Sequence, residues 1–298
     1  WKDGNATLSA LYEQITMPNI RVYIRVLETA EVPAIENFKK QLSILMKRYV
    51  EAKDNVKFLS TLERHFKNLE SGKLRVIFDT IPSMLDSLRM VWIISRHYNR
   101  EERMNPLLQL IAKQIAGKVE RAIDVQKILG QYPEKQAMEK LSIAIDVLEK
   151  WQSTYENVKR QIGEDAQNSG MDQWNFEKKY LFDKTNYMTE ACRTLSSMVK
   201  TSYQFRNFLG KELQNVTGDS AAIEKVRKEV NNSLAPILKI KWSIFDEDYD
   251  KMWEQMQGRY KNSVTAIEER CNALIDESFK KEKLESAEEA FELLEKFK

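Results

Sequence analysis

Met84-Leu85-Asp86-Ser87-Leu88-Arg89-Met90-Val91-Trp92-Ile93-Ile94-Ser95-Arg96-His97-Tyr98-Asn99 is the stretch whose reading decides the fold. Leu85, Leu88, Val91, Trp92 and the group from Ser95 to Tyr98 return every three or four positions, which is the spacing of one helical face. Val91 to Ile94 is apolar all round, so this helix is expected to have neighbours on more than one side. Thr80-Ile81-Pro82-Ser83 reads as its start, with Pro82 in the first turn, where a missing N–H costs nothing. Asn99-Arg100-Glu101-Glu102-Arg103 reads as a polar corner into a second long helix begun by Pro106. The whole block from Phe58 to Ile115 is expected to pack around the central helix.

Working outward toward the N-terminus, Leu8, Leu11, Tyr12 and Ile15 line one helical face. Pro18 and Pro33 bracket an apolar segment, Ile20 to Leu27. Its β-branched residues make it the one place where a strand is conceivable, with helix the expectation. Ala34 to Glu51 reads as a helix through Ile35, Phe38, Leu42, Leu45, Met46 and Tyr49. Asp54 is expected to cap a separate helix carrying Val56, Leu59, Leu62, Phe66 and Leu69 and stopping at Gly72. Beyond the centre, Leu108, Ile111, Ile115, Val119 and Ala122 continue a helix toward Leu129 and Gly130.

Pro133 opens a fresh segment in which Met138, Leu141, Ile145, Leu148, Tyr155 and Val158 form a weak heptad broken at Gln152. Gly163 to Gly170 (GEDAQNSG) reads as a loop and a subdomain boundary. Trp174 to Glu212 reads as one long helix or two, with Leu181, Met188, Cys192, Leu195 and Val199 inward. Val216 to Ser220 is a second break, before a helix through Ile223, Val226 and Val230 that Pro236 interrupts. Phe245, Tyr249, Met252, Met256, Ile267, Cys271 and Leu274 mark the last long helix. Ser286 is expected to cap Ala287 to Lys298. The fold class is therefore all-α, an elongated series of packed helical bundles. One bundle is assigned to 1–130 and the rest to 131–298, with the loop boundary at 163–170.

Composition agrees. Nine Gly and six Pro make up about 5% of 298 residues, against roughly 12% in average usage, which favours long helices and few hairpins. The 47 Lys and Arg against 45 Asp and Glu leave +2. So even a mixture describes solvated helix faces and gives no reason to expect nucleic acid or membrane as partner. Two cysteines far apart make no disulfide framework. The longest apolar run, Met90 to Ile94, is far short of the ~20 residues of a membrane span. The chain begins at Trp1, which suggests a piece of a longer protein.

The sequence holds no GxxxxGK[ST] and no GxGxxG, so phosphates have no Gly-rich cradle. His65 and His97 sit in no metal-ligand spacing, and no Ser-His-Asp signature occurs. Cys192 and Cys271 fall on apolar helical faces and read as buried thiols. Asp246-Glu247-Asp248 lacks the glycine and spacing of a calcium loop and reads as charge at a helix N-terminus. Trp92 reads as core, and Arg96-His97-Tyr98 as a polar network between helices or a recognition patch. No catalytic, cofactor-binding or metal residue is assigned, and no partner-binding residue is identified.

Phe58-Leu59-Ser60-Thr61-Leu62-Glu63-Arg64-His65-Phe66-Lys67-Asn68-Leu69, then Ile81-Pro82, Leu88 to Asn99 as quoted above, and Glu102-Arg103-Met104 resemble the N-terminal tail region of dynein heavy chains. The ciliary (axonemal) members fit better than the cytoplasmic ones. Leu8 to Gln14 and Ala287 to Phe297 fit the same tail, while Tyr132 to Trp242 contributes mainly helical periodicity. The resemblance implies a parent with an ATP-driven ring and a microtubule-binding stalk C-terminal to this piece, so ATP belongs elsewhere and no cofactor is expected here. It implies partners among intermediate chains, other heavy chains, light chains and a docking complex. The doublet microtubule would be reached indirectly, within the axoneme of a cilium or flagellum and most readily in an outer arm. A helical tether unrelated to motors is the alternative that composition alone allows.

Overall fold

The computed structural model of the chain describes residues 1–169, 173–176, 178–207 and 237–281, with separate positions at 221, 224–226, 228, 232, 235, 291, 292 and 295. Ten α-helices and no strand occur among the described residues. They are α1 (Lys2–Ile15), α2 (Pro18–Thr29), α3 (Ala34–Leu59), α4 (Glu63–Glu70), α5 (Leu74–Ile94), α6 (Glu101–Ala122), α7 (Val125–Gly130), α8 (Glu134–Ser169), α9 (Lys178–Asn207) and α10 (Tyr249–Lys281). A short 3₁₀ turn, Ser60–Leu62, joins α3 to α4. The all-α class expected from the sequence holds.

The central helix starts earlier and ends sooner than its sequence suggests. α5 begins at Leu74, so Pro82 lies inside it rather than in its first turn. A proline there forfeits one backbone hydrogen bond and costs about 3 kcal/mol in an isolated helix. Packing offsets that cost, because Ile77, Ile81, Met84, Leu85 and Leu88 are wholly buried, each contributing about 1.5–3 kcal/mol. Thr80 Oγ1–H donates to Val76 O at 2.7 Å and accepts from Asn68 Nδ2 at 3.1 Å, which ties α4 to α5. α5 stops at Ile94, and Ser95 is extended. The Ser95 hydroxyl accepts the N–H groups of His97 and Tyr98, turning the chain before α6. Asn99 Nδ2 donates back to Trp92 O at 2.6 Å and satisfies a carbonyl the helix end would leave open.

Two expected breaks are absent. α3 runs unbroken through Asp54, with Ala52 wholly buried two residues earlier, and contact overrides a capping preference. α8 runs through Gly163 to Ser169, so the expected loop is helix as far as 169, and Gly170 lies outside the described residues. Ile162 and Ala166 are buried on either side of Gly163. Their packing outweighs the ~1 kcal/mol that glycine costs a helix. The stripe of α8 is also more regular than expected: Ala137, Leu141, Ala144, Leu148, Trp151, Tyr155, Val158 and Ile162 are buried in unbroken steps of four and three, with Trp151 filling the step assigned to Gln152. Gly72 does end α4, with φ 71° and its N–H on Leu69 O. Ile20 to Leu27 is helical, within α2. Residues 216–220, 223, 230, 236 and 286–290 lie outside the described residues, and with them the expected break, helix continuation and cap there.

The chain forms two compact units, Trp1–Ile115 with Glu149–Asp183, and Ala116–Leu148 with Lys184–Lys298. It changes unit within α6, α8 and α9.

In the first unit α1 lies along α3, with Tyr12 stacked on Tyr49 at 4.4 Å, and α4 packs on α5. Trp1 Nε1 donates to Tyr98 OH, and Lys2 pairs with Glu63. The second unit has α9 and α10 as its long elements, joined by Tyr260 OH, which donates to Met198 O at 2.8 Å.

Candidate functional site

The residues best placed to matter are aromatic. In the first unit Trp92 of α5 is 2% exposed. It meets Trp174 edge-on at 6.3 Å and Phe176 edge-on at 5.7 Å. Trp174 stacks on Tyr155 of α8 at 5.5 Å, and Tyr155 meets Phe182 of α9 at 5.2 Å. The non-helical segment 173–176 is thereby clamped against α5 and α8 by rings. Such pairs contribute about 0.5–1.5 kcal/mol each beyond their buried area. The Trp151 and Trp174 Nε1–H groups and the Tyr155 hydroxyl are buried with no protein partner, so packing and not hydrogen bonding holds these three side chains. Burial drives the Tyr155 phenol far above its usual value.

A depression of about 610 Å³ opens beside this block, lined by Trp92, Asn99, Arg100, Glu101, Glu102 and Phe176 among others. Its charged groups, Arg100, Glu101 and Glu102, are of both signs and exposed.

The second unit has its own aromatic staple. Trp242 packs on Trp253 at 4.8 Å, and Tyr187 meets Tyr249 edge-on at 4.6 Å. Lys184 Nζ sits 3.6 Å above the Tyr249 ring and donates to Ile244 O at 2.6 Å, while Ile244 N–H donates to Glu120 Oε1. Trp242 Nε1–H donates to Tyr249 O. Together they fix the segment leading into α10. Burial pushes the Tyr187 phenol up to about 12.

The residues that the sequence singled out are scattered. His65 is buried, with Nε2 accepting from Arg64 Nε at 3.3 Å and lying 3.1 Å from Ser87 Oγ. Burial, and then the neighbouring Arg64 charge, hold its pKa below the ordinary value. His97 is half-buried in the turn after α5, and its neighbour Arg96 is exposed, so Arg96-His97-Tyr98 forms no buried network; only Tyr98 is buried. Cys192 and Cys271 are buried free thiols. Burial pushes Cys192 up to about 12, and burial and then Glu268 raise Cys271, so neither is a ready thiolate. Asp246, Glu247 and Asp248 are exposed in a turn before α10, and Asp248 pairs with Lys251 at 2.8 Å. Among the described residues no three His, Cys, Asp or Glu side chains converge as metal ligands, and no helix is long and apolar enough to cross a membrane.

Trp174 and Phe176 were expected in the first turns of a helix from Trp174 to Glu212, but 173–176 is non-helical and the helix α9 begins at Lys178. Their role as staples was missed for that reason, and that of Trp242 because periodicity is blind outside helices.

Comparison with known proteins gives the family. Residues 1–298 match the family described as dynein heavy chain, N-terminal region 1. The chain is 43% identical, over its full length, to the dynein-1-alpha heavy chain of the flagellar inner arm I1 complex of Chlamydomonas reinhardtii. It is 36% identical over 89% of its length to dynein axonemal heavy chain 10 of Homo sapiens. It is 21% identical over 94% of its length to the dynein beta chain of the flagellar outer arm of Chlamydomonas reinhardtii. It spans only 6% of the length of each of these relatives. A chain so matched from end to end, helical among its described residues, belongs to the axonemal dynein heavy chains and corresponds to their N-terminal region 1.

Proposed function

We propose that this chain is a structural segment of a heavy-chain tail, serving to assemble the arm with intermediate chains and a neighbouring heavy chain and to anchor it to the doublet microtubule. The ATPase motor of the parent lies C-terminal to it, and the segment itself is not an enzyme and binds no cofactor. Light chains and a docking complex complete the set of partners, and the site of action is the axoneme. The observation that carries this reading is the end-to-end likeness to a flagellar inner-arm heavy chain. The ring-clamped connectors support it, since a segment that transmits force needs fixed joints between its helices.

The expected outer arm gives way to an inner arm of the I1 type, favoured by 43% identity to an I1 chain against 21% to an outer-arm chain. A helical tether unrelated to motors has no remaining support, because family membership excludes it.

The test is immunoprecipitation of the parent from an axonemal extract, with an antibody raised against this segment, read by mass spectrometry. A very large ATPase arriving with intermediate chains is the expected result. A parent arriving without other arm subunits would overturn the assembly role, and outer-arm subunits in place of inner-arm ones would overturn the arm assignment.

A further inference from the structure

The strap at 240–248, which leads into α10, is non-helical, and it is gripped at one peptide group. Ile244 is wholly buried. Its N–H donates to Glu120 Oε1 at 3.2 Å, and its carbonyl accepts from Lys184 Nζ, which also lies over the Tyr249 ring. Beside it, a Cβ added at Gly117 of α6 would stand 3.4 Å from the Phe245 ring, and Trp242 packs on Trp253 of α10. All of these residues belong to the second unit. A carboxylate on one side and an ammonium on the other therefore hold the strap closed.

Ser243 directly precedes that peptide group. It is half-buried, and its hydroxyl oxygen accepts the Phe245 N–H at 3.3 Å. Asp246, Glu247 and Asp248 follow at the third, fourth and fifth positions after it, and all three are exposed. No other described serine or threonine is followed by three acids in this way. Ser60, Ser83, Ser153, Ser169 and Thr265 have an acid three residues on, but each lies in a helical turn. Phosphoryl transfer to a hydroxyl needs the oxygen in line with the γ-phosphorus and the main chain laid along the enzyme's cleft, which a helical turn cannot offer without unwinding. A non-helical strap meets that demand, and its exposed acids complement a cleft lined with basic side chains.

We propose that Ser243 is a phosphorylation site for a serine kinase with a basic substrate cleft, and that the phosphate releases the strap. In the transfer, the Ser243 oxygen bonds to the γ-phosphorus of ATP as the bond from that phosphorus to the β–γ bridging oxygen breaks. The hydroxyl proton passes to the kinase's aspartate, and ADP leaves. The product carries about two negative charges, one residue from the peptide group that Glu120 and Lys184 hold. It repels the Glu120 carboxylate and the acids at 246–248. It also draws the Lys184 ammonium from Ile244 O and the Tyr249 ring, because a charge-assisted bond to phosphate is stronger than one to a neutral carbonyl. Both effects loosen the same peptide group. The proposal stands apart from the assembly role above, since it needs only this chain and a kinase.

The test incubates the chain with ATP and a purified acidophilic serine kinase, and in parallel with a kinase that selects basic sequences, with sites located by tandem mass spectrometry. Ser243 is expected to be the main site of the first kinase and unmodified by the second. S243A should lose that phosphate, and D246N/E247Q/D248N should lower kcat/KM at Ser243 by about ten-fold or more. In the phosphorylated chain, amides at 240–249 should exchange hydrogen about ten-fold faster, those of α5 should be unchanged, and phosphatase should restore the slow rate. K184Q, which removes the cation from Ile244 O, should speed the same amides without any phosphate. No phosphate at Ser243 in the folded chain, equal labelling of the helical hydroxyls, or undiminished labelling of the triple variant would each overturn the site. Phosphate at Ser243 with unchanged exchange, or unchanged exchange in K184Q, would overturn the release.

Discussion

Truncating Trp92 to alanine tests whether the aromatic block holds the first unit together. The indole is 2% exposed and meets two rings edge-on, at 6.3 and 5.7 Å. Removing a buried indole costs about 3–5 kcal/mol, transfer and cavity terms together. The two ring contacts account for roughly 1–3 kcal/mol of this. With a urea m-value of about 2 kcal/mol/M, the midpoint should fall by roughly 1.5–2.5 M. Because the chain has two units, a whole-chain signal would mix two transitions. Hydrogen exchange along a urea series, read on peptides of α5 and of α10, separates them. The α5 peptides should lose protection early while those of α10 keep theirs. Trp92→Phe, which refills part of the cavity, should recover about half of the loss. A shift below ~0.5 M for the alanine variant would refute the reasoning and make Trp92 a surface contact rather than a joint.

Gly163 lies inside α8, where a Cβ would meet nothing within 4 Å. Gly163→Ala should therefore stabilise the chain by about 0.5–1 kcal/mol, and a destabilised variant in thermal unfolding would restore the loop. Tyr155→Phe removes a buried hydroxyl with no protein partner. It should leave stability unchanged or raise it by about 1 kcal/mol, and a clear loss in urea unfolding would mean that the hydroxyl is satisfied. The His65 pKa is depressed by burial and then by Arg64, so the unfolded chain takes up that proton first as pH falls. This contribution is complete above the unfolded value of 6.5 and is lost between 6.5 and the lower folded pKa. His65→Gln should flatten the urea midpoint in that window, and an unchanged slope would place the imidazole in solvent.

Helix breaks show where the sequence misleads. Asp54, Pro82 and Gly163 are each a legitimate stop or start signal worth a few kcal/mol at most. At each, buried apolar neighbours (Ala52, Ile77 and Ile81, Ile162 and Ala166) outweigh the local preference. Gly72 was read correctly, and its φ of 71° is one that glycine adopts without strain. The open arc of α2 also escaped the sequence reading. Val22 and Val26 belong to the apolar segment between Pro18 and Pro33, and only the structure shows that they are exposed.

What the sequence determined by itself was the all-α class, the inward faces of α6 and α9 and the Met256, Ile267, Cys271 and Leu274 part of that of α10, and the family, because those rest on periodicity, scarce Gly and Pro, and an extended run of matching residues. The tertiary structure decided where helices end, which rings clamp the connectors, and which apolar arc stays open to solvent. These depend on residues far apart in the chain, such as Trp92 with Trp174 and Lys184 with Tyr249. Local propensities of a few tenths to about 3 kcal/mol cannot report contacts whose energy is set by partners more than sixty residues away.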